Sequence, residues 1–155
     1  MEVRDHGVKG FVCWDECRRD SYKPRPDQPP AMPYHQIDPD ELDATEDYPC
    51  DRRAVSDAAG TTLLHLARYT MAPGQQLPRV YHSHRQREEA FVVLDGTLHV
   101  ETPDEEYVVP EGEVFVAEPE SPHLAYNPED ADGDVTVMGT GAPKTDPAIP
   151  HDDEA

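Results

Sequence analysis

The chain has 155 residues, enough for one domain, with 36% hydrophobic residues and a formal net charge of −20 from 33 acidic and 13 basic side chains. That balance excludes nucleic acid as a partner, because phosphate neutralisation needs clustered Lys and Arg, and it disfavours an anionic membrane surface for the same reason. No run approaches the ~18 apolar residues of a membrane span, and no secretory leader is read at the start, so the expected location is the cytoplasm.

Residues 1–31 hold six basic and six acidic residues and end in a cluster of prolines. Such a stretch packs neither as helix nor as central strand. It is read as a Pro-rich, disordered extension, with Met32 as a second possible start. Cys13 and Cys17 with His6 could approach a zinc site but lack a fourth ligand. The three cysteines, including Cys50, are read as free thiols of a reducing compartment. Residues 32–155 carry 27 acids against 7 basic residues, hence the whole net charge. High charge with low hydrophobicity suits either disorder or a folded protein in a salty cytoplasm. Lys occurs 3 times against 10 Arg and the acids are spread along the chain, which favours salt adaptation.

From Met32 the pattern is one of short strands. Residues 39–42 make a helical turn at best. Strands are expected at 63–69, 80–84, 89–94, 98–102, 105–109, 114–117, 123–127 and 135–139. Turn signals stand between them at Pro73-Gly74, Asp95-Gly96 (a hairpin signal), Pro103-Asp104 and Pro110-Glu111-Gly112. Turns about every 8–12 residues, with no useful helical period, predict an all-β sandwich or barrel over 32–142. Residues 143–155 are read as a loose polar tail.

The chemistry concentrates in HSHRQREEAFVVLDG, residues 82–96. On a strand, His82 and His84 face the same side. Glu89 opens the next strand and His123 a later one. Three imidazoles and a carboxylate suit a divalent first-row transition metal, and in an octahedral shell they leave two positions open.

These residues resemble the two motifs of the cupin superfamily. His82, His84, Glu89 and Gly96 match G-x5-H-x-H-x3,4-E-x6-G. Gly112, His123 and Asn127 match G-x5-P-x-G-x2-H-x3-N. The resemblance covers roughly residues 60–141 and is similar to small acidic cupins of halophilic archaea. It implies a double-stranded β-helix, the RmlC-like jelly roll, with His82, His84, Glu89 and His123 as metal ligands. Gln76 stands where the first motif has Gly, which predicts a two-residue extension before His82. Glu118 and Glu120 replace the Pro and Gly of the second motif.

His65 is read as a packed or surface residue, with a place in the cavity wall as the lesser alternative, and His99 is read likewise as packed or surface. Tyr81, Tyr107, Phe115 and Tyr126 are read as core or interface aromatics, and Asn127 as a turn residue. Arg79, Arg85 and Arg87 are read as solvated or ion-paired, with an anionic substrate as the alternative. Glu88 points away from the metal and takes no role. The expected partner is a small molecule, with self-association as a homodimer also allowed. Function is left between a metal-dependent dioxygenase or isomerase and a non-catalytic binding or sensing module. A metal-free sugar-nucleotide epimerase is less favoured, because all four ligands are intact. No catalytic residue is assigned.

Overall fold

The computed structural model describes residues 34–151, so residues 1–31 and the His6, Cys13 and Cys17 set lie outside the described part. A 3-10 turn at Pro39–Glu41 precedes β1 (Asp51–Arg53) and a five-residue helix, α1 (Val55–Ala59). There follow β2 (His65–Met71), β3 (Gln76–Ser83), β4 (Glu88–Asp95), β5 (Thr97–Glu101) and β6 (Glu106–Pro110). The described chain closes with β7 (Val114–Ala117), β8 (His123–Tyr126), β9 (Val135–Ala142) and β10 (Ile149–Pro150). Two five-stranded antiparallel sheets result, ordered β1-β2-β9-β4-β7 and β10-β3-β8-β5-β6. This is the all-β architecture expected from the turn spacing, in the jelly-roll form that the cupin resemblance implies.

Each expected strand forms, with ends displaced by a few residues. β1 was not anticipated. Its Asp-Arg-Arg sequence has no apolar alternation, because it is an edge strand bonded only to β2. Two other expectations are corrected. Asp95-Gly96 is not a hairpin: β4 pairs with β9 and β7, while β5 pairs with β6 and β8. The glycine is instead a corner that carries the chain between sheets. Its φ is +78° and a Cβ there would sit 2.7 Å from the Asp134 carbonyl oxygen. Residues 143–151 are also not loose. Ile149 and Pro150 pair with Ser83 and His82 on β3, and the His151 amide donates to the Tyr81 carbonyl.

Inward-facing residues of the first sheet stand in rows across the strands. His65, Gly141, Glu89 and Ala117 form one row, and Ala67, Gly139, Phe91 and Phe115 the next. Tyr69, Val137 and Val93 follow, then Met71 and Val135. The interior is therefore graded. One end is apolar, with Met71, Val93, Leu98, Val100, Val135 and Val137 almost wholly buried. Each such side chain contributes about 1.5–3 kcal/mol by leaving water. The other end is polar and holds the histidines.

The departures from the cupin motifs have visible consequences. β3 pairs Leu77 with Ala125 and His82 with His123, so five steps on β3 match two on β8. The expected extension before His82 is thus a bulge within the strand. Glu120 adopts φ +64°, the left-handed region the missing glycine would occupy freely, and its amide donates to the His84 carbonyl at 2.6 Å. Left-handed backbone costs a non-glycine residue roughly 1–2 kcal/mol, and glycine gives back about 0.5–1 through the freer unfolded chain. Glu120→Gly is therefore expected to raise the melting temperature by a few degrees. A lower melting temperature would show that the Glu120 side chain contributes more than its backbone costs.

Candidate metal centre and its cavity

β3, the start of β4 and the start of β8 deliver four side chains to one place. His82 Nε2 lies 3.6 Å from Glu89 Oε2, His84 Nε2 3.4 Å from Oε1, and His123 Nε2 3.3 Å from Oε2. All four residues are buried. Ligand atoms of His82, His84 and Glu89 lie within 4.8 Å of one another. His123, paired with His82 across β3 and β8 of one sheet, closes the set around Glu89 of the other, its ring 4.8 Å from that of His82. Burial alone would raise the Glu89 carboxyl; positive charge at the facing His123, His82 and His84 nitrogens, as protons on them or a cation among them, outweighs that and holds it far below the usual carboxylate range.

Backbone carbonyls fix two of the rings. His84 Nδ1 is 3.1 Å from the Pro147 carbonyl and His123 Nδ1 is 3.0 Å from that of Ser121. A carbonyl only accepts, so each Nδ1 donates, and a neutral ring then presents a bare Nε2 toward the carboxylate. Lone pair faces lone pair there. Glu89 Oε2 and His123 Nε2 are both buried without a hydrogen-bond partner. A cation between them resolves the conflict, and mixed imidazole and carboxylate donors suit a divalent first-row ion. The residues fit such a metal.

Arg87, expected at the surface, is instead enclosed. Its Nη1 donates to Glu89 Oε1 at 3.3 Å, and its other nitrogens donate to the carbonyls of Pro143, Lys144 and Asp146 at 3.1, 2.6 and 2.8 Å. Asp146 answers by accepting from the Gln86 and Arg87 amides at 2.7 and 3.0 Å. Lys144 pairs with Asp57 at 2.6 Å. Residues 143–147 thus lie as a strap across the polar end of the barrel.

Under the strap is a cavity of about 310 Å³ lined by His82, His84, Arg87 and Glu89 and extending to Tyr48, Arg52, His65 and Tyr69. His65, read as packed or surface, lines it. Its Nε2 is 3.0 Å from the Tyr69 hydroxyl, and burial together with Arg52 and Arg87 pushes its pKa down to about 4, so it is neutral at pH 7. Gly139 lines this space, and Gly141 leaves room for Arg87, which walls it. A Cβ at Gly139 would meet Tyr69 Cε2 at 2.7 Å, and one at Gly141 would meet Arg87 Cδ at 2.9 Å. A sequence signal for both existed: the inward positions of β9 change from Val135 and Val137 to Gly139 and Gly141. A larger cavity of about 620 Å³, between β6 and β7, touches the centre only at His123.

The remaining candidates lie elsewhere. His99 bonds Glu106 at 2.6 Å across β5 and β6, the Tyr126 hydroxyl on β8 donates to the same Glu106 carboxylate, and the Tyr107 hydroxyl donates to Glu105. Asn127 is buried and donates to the Met71 and Gly133 carbonyls, a structural role as expected. Arg85 and Glu88 are exposed, Tyr81 is half-buried, and Phe115 packs against the core. Cys50 is a free, buried thiol, pushed up to about 12 by burial and Asp51. Among the described residues, no helix is long and apolar enough to cross a membrane.

Residues 67–139 match the family model described as Cupin domain. No curated protein matches the chain in sequence. Solved structures resemble it in fold. A sugar phosphate isomerase from Silicibacter pomeroyi aligns at 18% identity over 76% of this chain and 82% of that one, with a TM-score of 0.64. KdgF from Halomonas sp. aligns at 25% over 68% and 91%, with a TM-score of 0.55. A putative sugar phosphate isomerase from Acidithiobacillus ferrooxidans aligns at 21% over 60% of this chain, TM-score 0.54, and the match spans only 58% of that protein.

Proposed function

The chain belongs to the cupin superfamily, and on that premise we propose that His82, His84, Glu89 and His123 hold one divalent first-row transition metal for chemistry on a small molecule in the adjoining cavity. The observation that carries this reading is the pair of buried, unpartnered acceptors, Glu89 Oε2 and His123 Nε2, facing each other at 3.3 Å. Bound there, a divalent ion supplies a Lewis acid and open coordination positions. The chain's own residues do the rest. Pro147 and Ser121 orient two imidazoles, and Arg87 holds the carboxylate oxygen that faces His84. The strap covers part of that end of the barrel, and the cavity gives a small organic molecule room beside the ligands. The neighbouring structures named as isomerases support small-molecule chemistry on this fold without naming the substrate.

Elemental analysis of the purified protein tests the metal. One ion per chain is expected in the wild type and in His99→Ala, with at least tenfold less in His82→Ala and His123→Ala. His82→Gln keeps the ring's volume roughly filled and covers the case in which alanine fails to fold. Equal metal in all variants, or none in a wild type grown with added iron, manganese, nickel, cobalt and zinc, would reject the assignment.

A further inference from the structure

The cavity contains a cation that the metal does not require. Arg52 lines it on the Tyr48 and Tyr69 side, and no carboxylate lies within ion-pair distance of it among the described residues. That is unexpected in a region where acids outnumber basic residues 27 to 7. The other two cations lining the cavity are matched, Arg87 by Glu89 and Lys144 by Asp57. Arg52 is also positioned. Its Nη1 donates to Thr45 Oγ1 at 2.9 Å, its guanidinium lies 5.6 Å from the Tyr48 ring centroid, and Arg52 pairs with Tyr69 in the β1–β2 register. Ordering a half-buried guanidinium beside two phenols and an imidazole, with no anion of the protein to meet it, leaves room for an anion from outside.

We propose that Arg52 is the anchor for the carboxylate of a small organic acid bound in this cavity, with the hydrogen-bonding edge of Tyr48, Tyr69 and His65 around it. This inference rests on the cavity being the ligand site proposed above. A carboxylate is favoured over a phosphate because one unmatched positive charge balances a monoanion. A phosphate dianion would find no second unmatched cation among the side chains lining the cavity, whereas the planar guanidinium fork meets the two oxygens of one carboxylate. His65, neutral at pH 7, adds a hydrogen bond and no second charge. Arg79 lies over the Tyr48 ring at 5.4 Å but is exposed and is not part of the cavity wall.

The test is ligand-observed NMR at fixed ionic strength, with lactate as the probe and neutral lactamide as its control. Lactate is expected to bind the wild type and Arg85→Gln alike, roughly tenfold to a hundredfold more weakly to Arg52→Gln, and with partial recovery in Arg52→Lys. Lactamide is expected not to bind measurably. Inorganic phosphate, added as a competitor, is expected to displace lactate poorly. Equal lactate binding by wild type and Arg52→Gln, or no lactate binding at all, overturns the anchor. Phosphate displacing lactate at equal or lower concentration overturns the choice of carboxylate. Repeating the titration on chelated protein separates the two proposals. Arg52-dependent binding without metal supports the anchor even if elemental analysis rejects the metal. Retained metal without Arg52-dependent binding does the reverse.

Discussion

Arg87→Met is expected to destabilise the chelated protein by about 3–5 kcal/mol, the cost of leaving a buried carboxylate without its charged partner. The substitution keeps an apolar stem of similar length, so little of the loss comes from packing. It removes the donor to Glu89 Oε1 and the donors to the carbonyls of Pro143, Lys144 and Asp146 at once. Denaturant unfolding measures the loss. Hydrogen exchange locates it, because the amides of Lys144 and His151, which donate to Leu63 and Tyr81, should lose protection before the core strands do. Arg87→Lys keeps the charge but cannot reach four acceptors in a planar fork, and should fall between. Metal-loaded protein should show a smaller effect, because the ion neutralises part of the Glu89 charge. An Arg87→Met variant within 1 kcal/mol of wild type, with exchange at residues 144 and 151 unchanged, would mean that the strap is held by its other contacts.

Salt is expected to raise the melting temperature of the whole domain by on the order of 10 °C between ~0.01 M and ~1 M KCl. At the lower concentration the Debye length is about 30 Å and every charge on the barrel senses the others; at the higher it is about 3 Å. The acids greatly outnumber their partners. Arg53 with Asp51, Arg68 with Asp40, Arg87 with Glu89 and Lys144 with Asp57 are the Arg and Lys ion pairs found among the described residues. Folding holds the unpaired carboxylates closer together than the unfolded chain does, so screening favours the folded state. Salts excluded from the surface add to the trend by strengthening apolar burial. Chelated and metal-loaded protein should follow parallel curves, the chelated one lower, since one divalent ion offsets little of a net charge of −20. Flat melts across the series would remove salt adaptation as the reason for the composition.

What could be read from the sequence divides by range. His82 and His84 two apart, Glu89 opening the next strand and His123 opening a later one were visible because strand parity and motif spacing are local properties. The eight strands were visible for the same reason. Arg87 was not, because its partners lie between Pro143 and Asp146, in a segment whose polar composition gave no hint that it crosses the barrel. His65 had the right parity, sharing a face with Ala67, Tyr69 and Met71. What makes that face a cavity wall depends on β9, where Gly139 lines the cavity and Gly141, between His65 and Glu89 in the row across the sheet, leaves room for the Arg87 side chain. Asp95-Gly96 carries the composition of a hairpin. Only sheet membership, which depends on β9 and β8 far along the chain, turns it into a corner.

The ring of His123 stands between the larger cavity, which it borders, and the Glu89 carboxylate of the other. Its Nε2 addresses Glu89, while its residue also borders the larger cavity between β6 and β7. Phe91 and Phe115, stacked 6.3 Å apart and both within about 6 Å of that imidazole, complete a partition across the barrel. Phe91 faces the chamber under the strap and Phe115 the other. The two sides of this wall are chemically unequal. A molecule arriving between β6 and β7 meets Val108, Val114 and Val116, the carboxylates of Asp104, Glu113, Glu118 and Glu120, and a single imidazole. A molecule beneath the strap meets His82, His84, Glu89 and the Arg52 guanidinium together. The barrel therefore carries a guanidinium and the proposed ligands on one side of this wall and an acidic lining on the other, with His123 and the two phenylalanines between them.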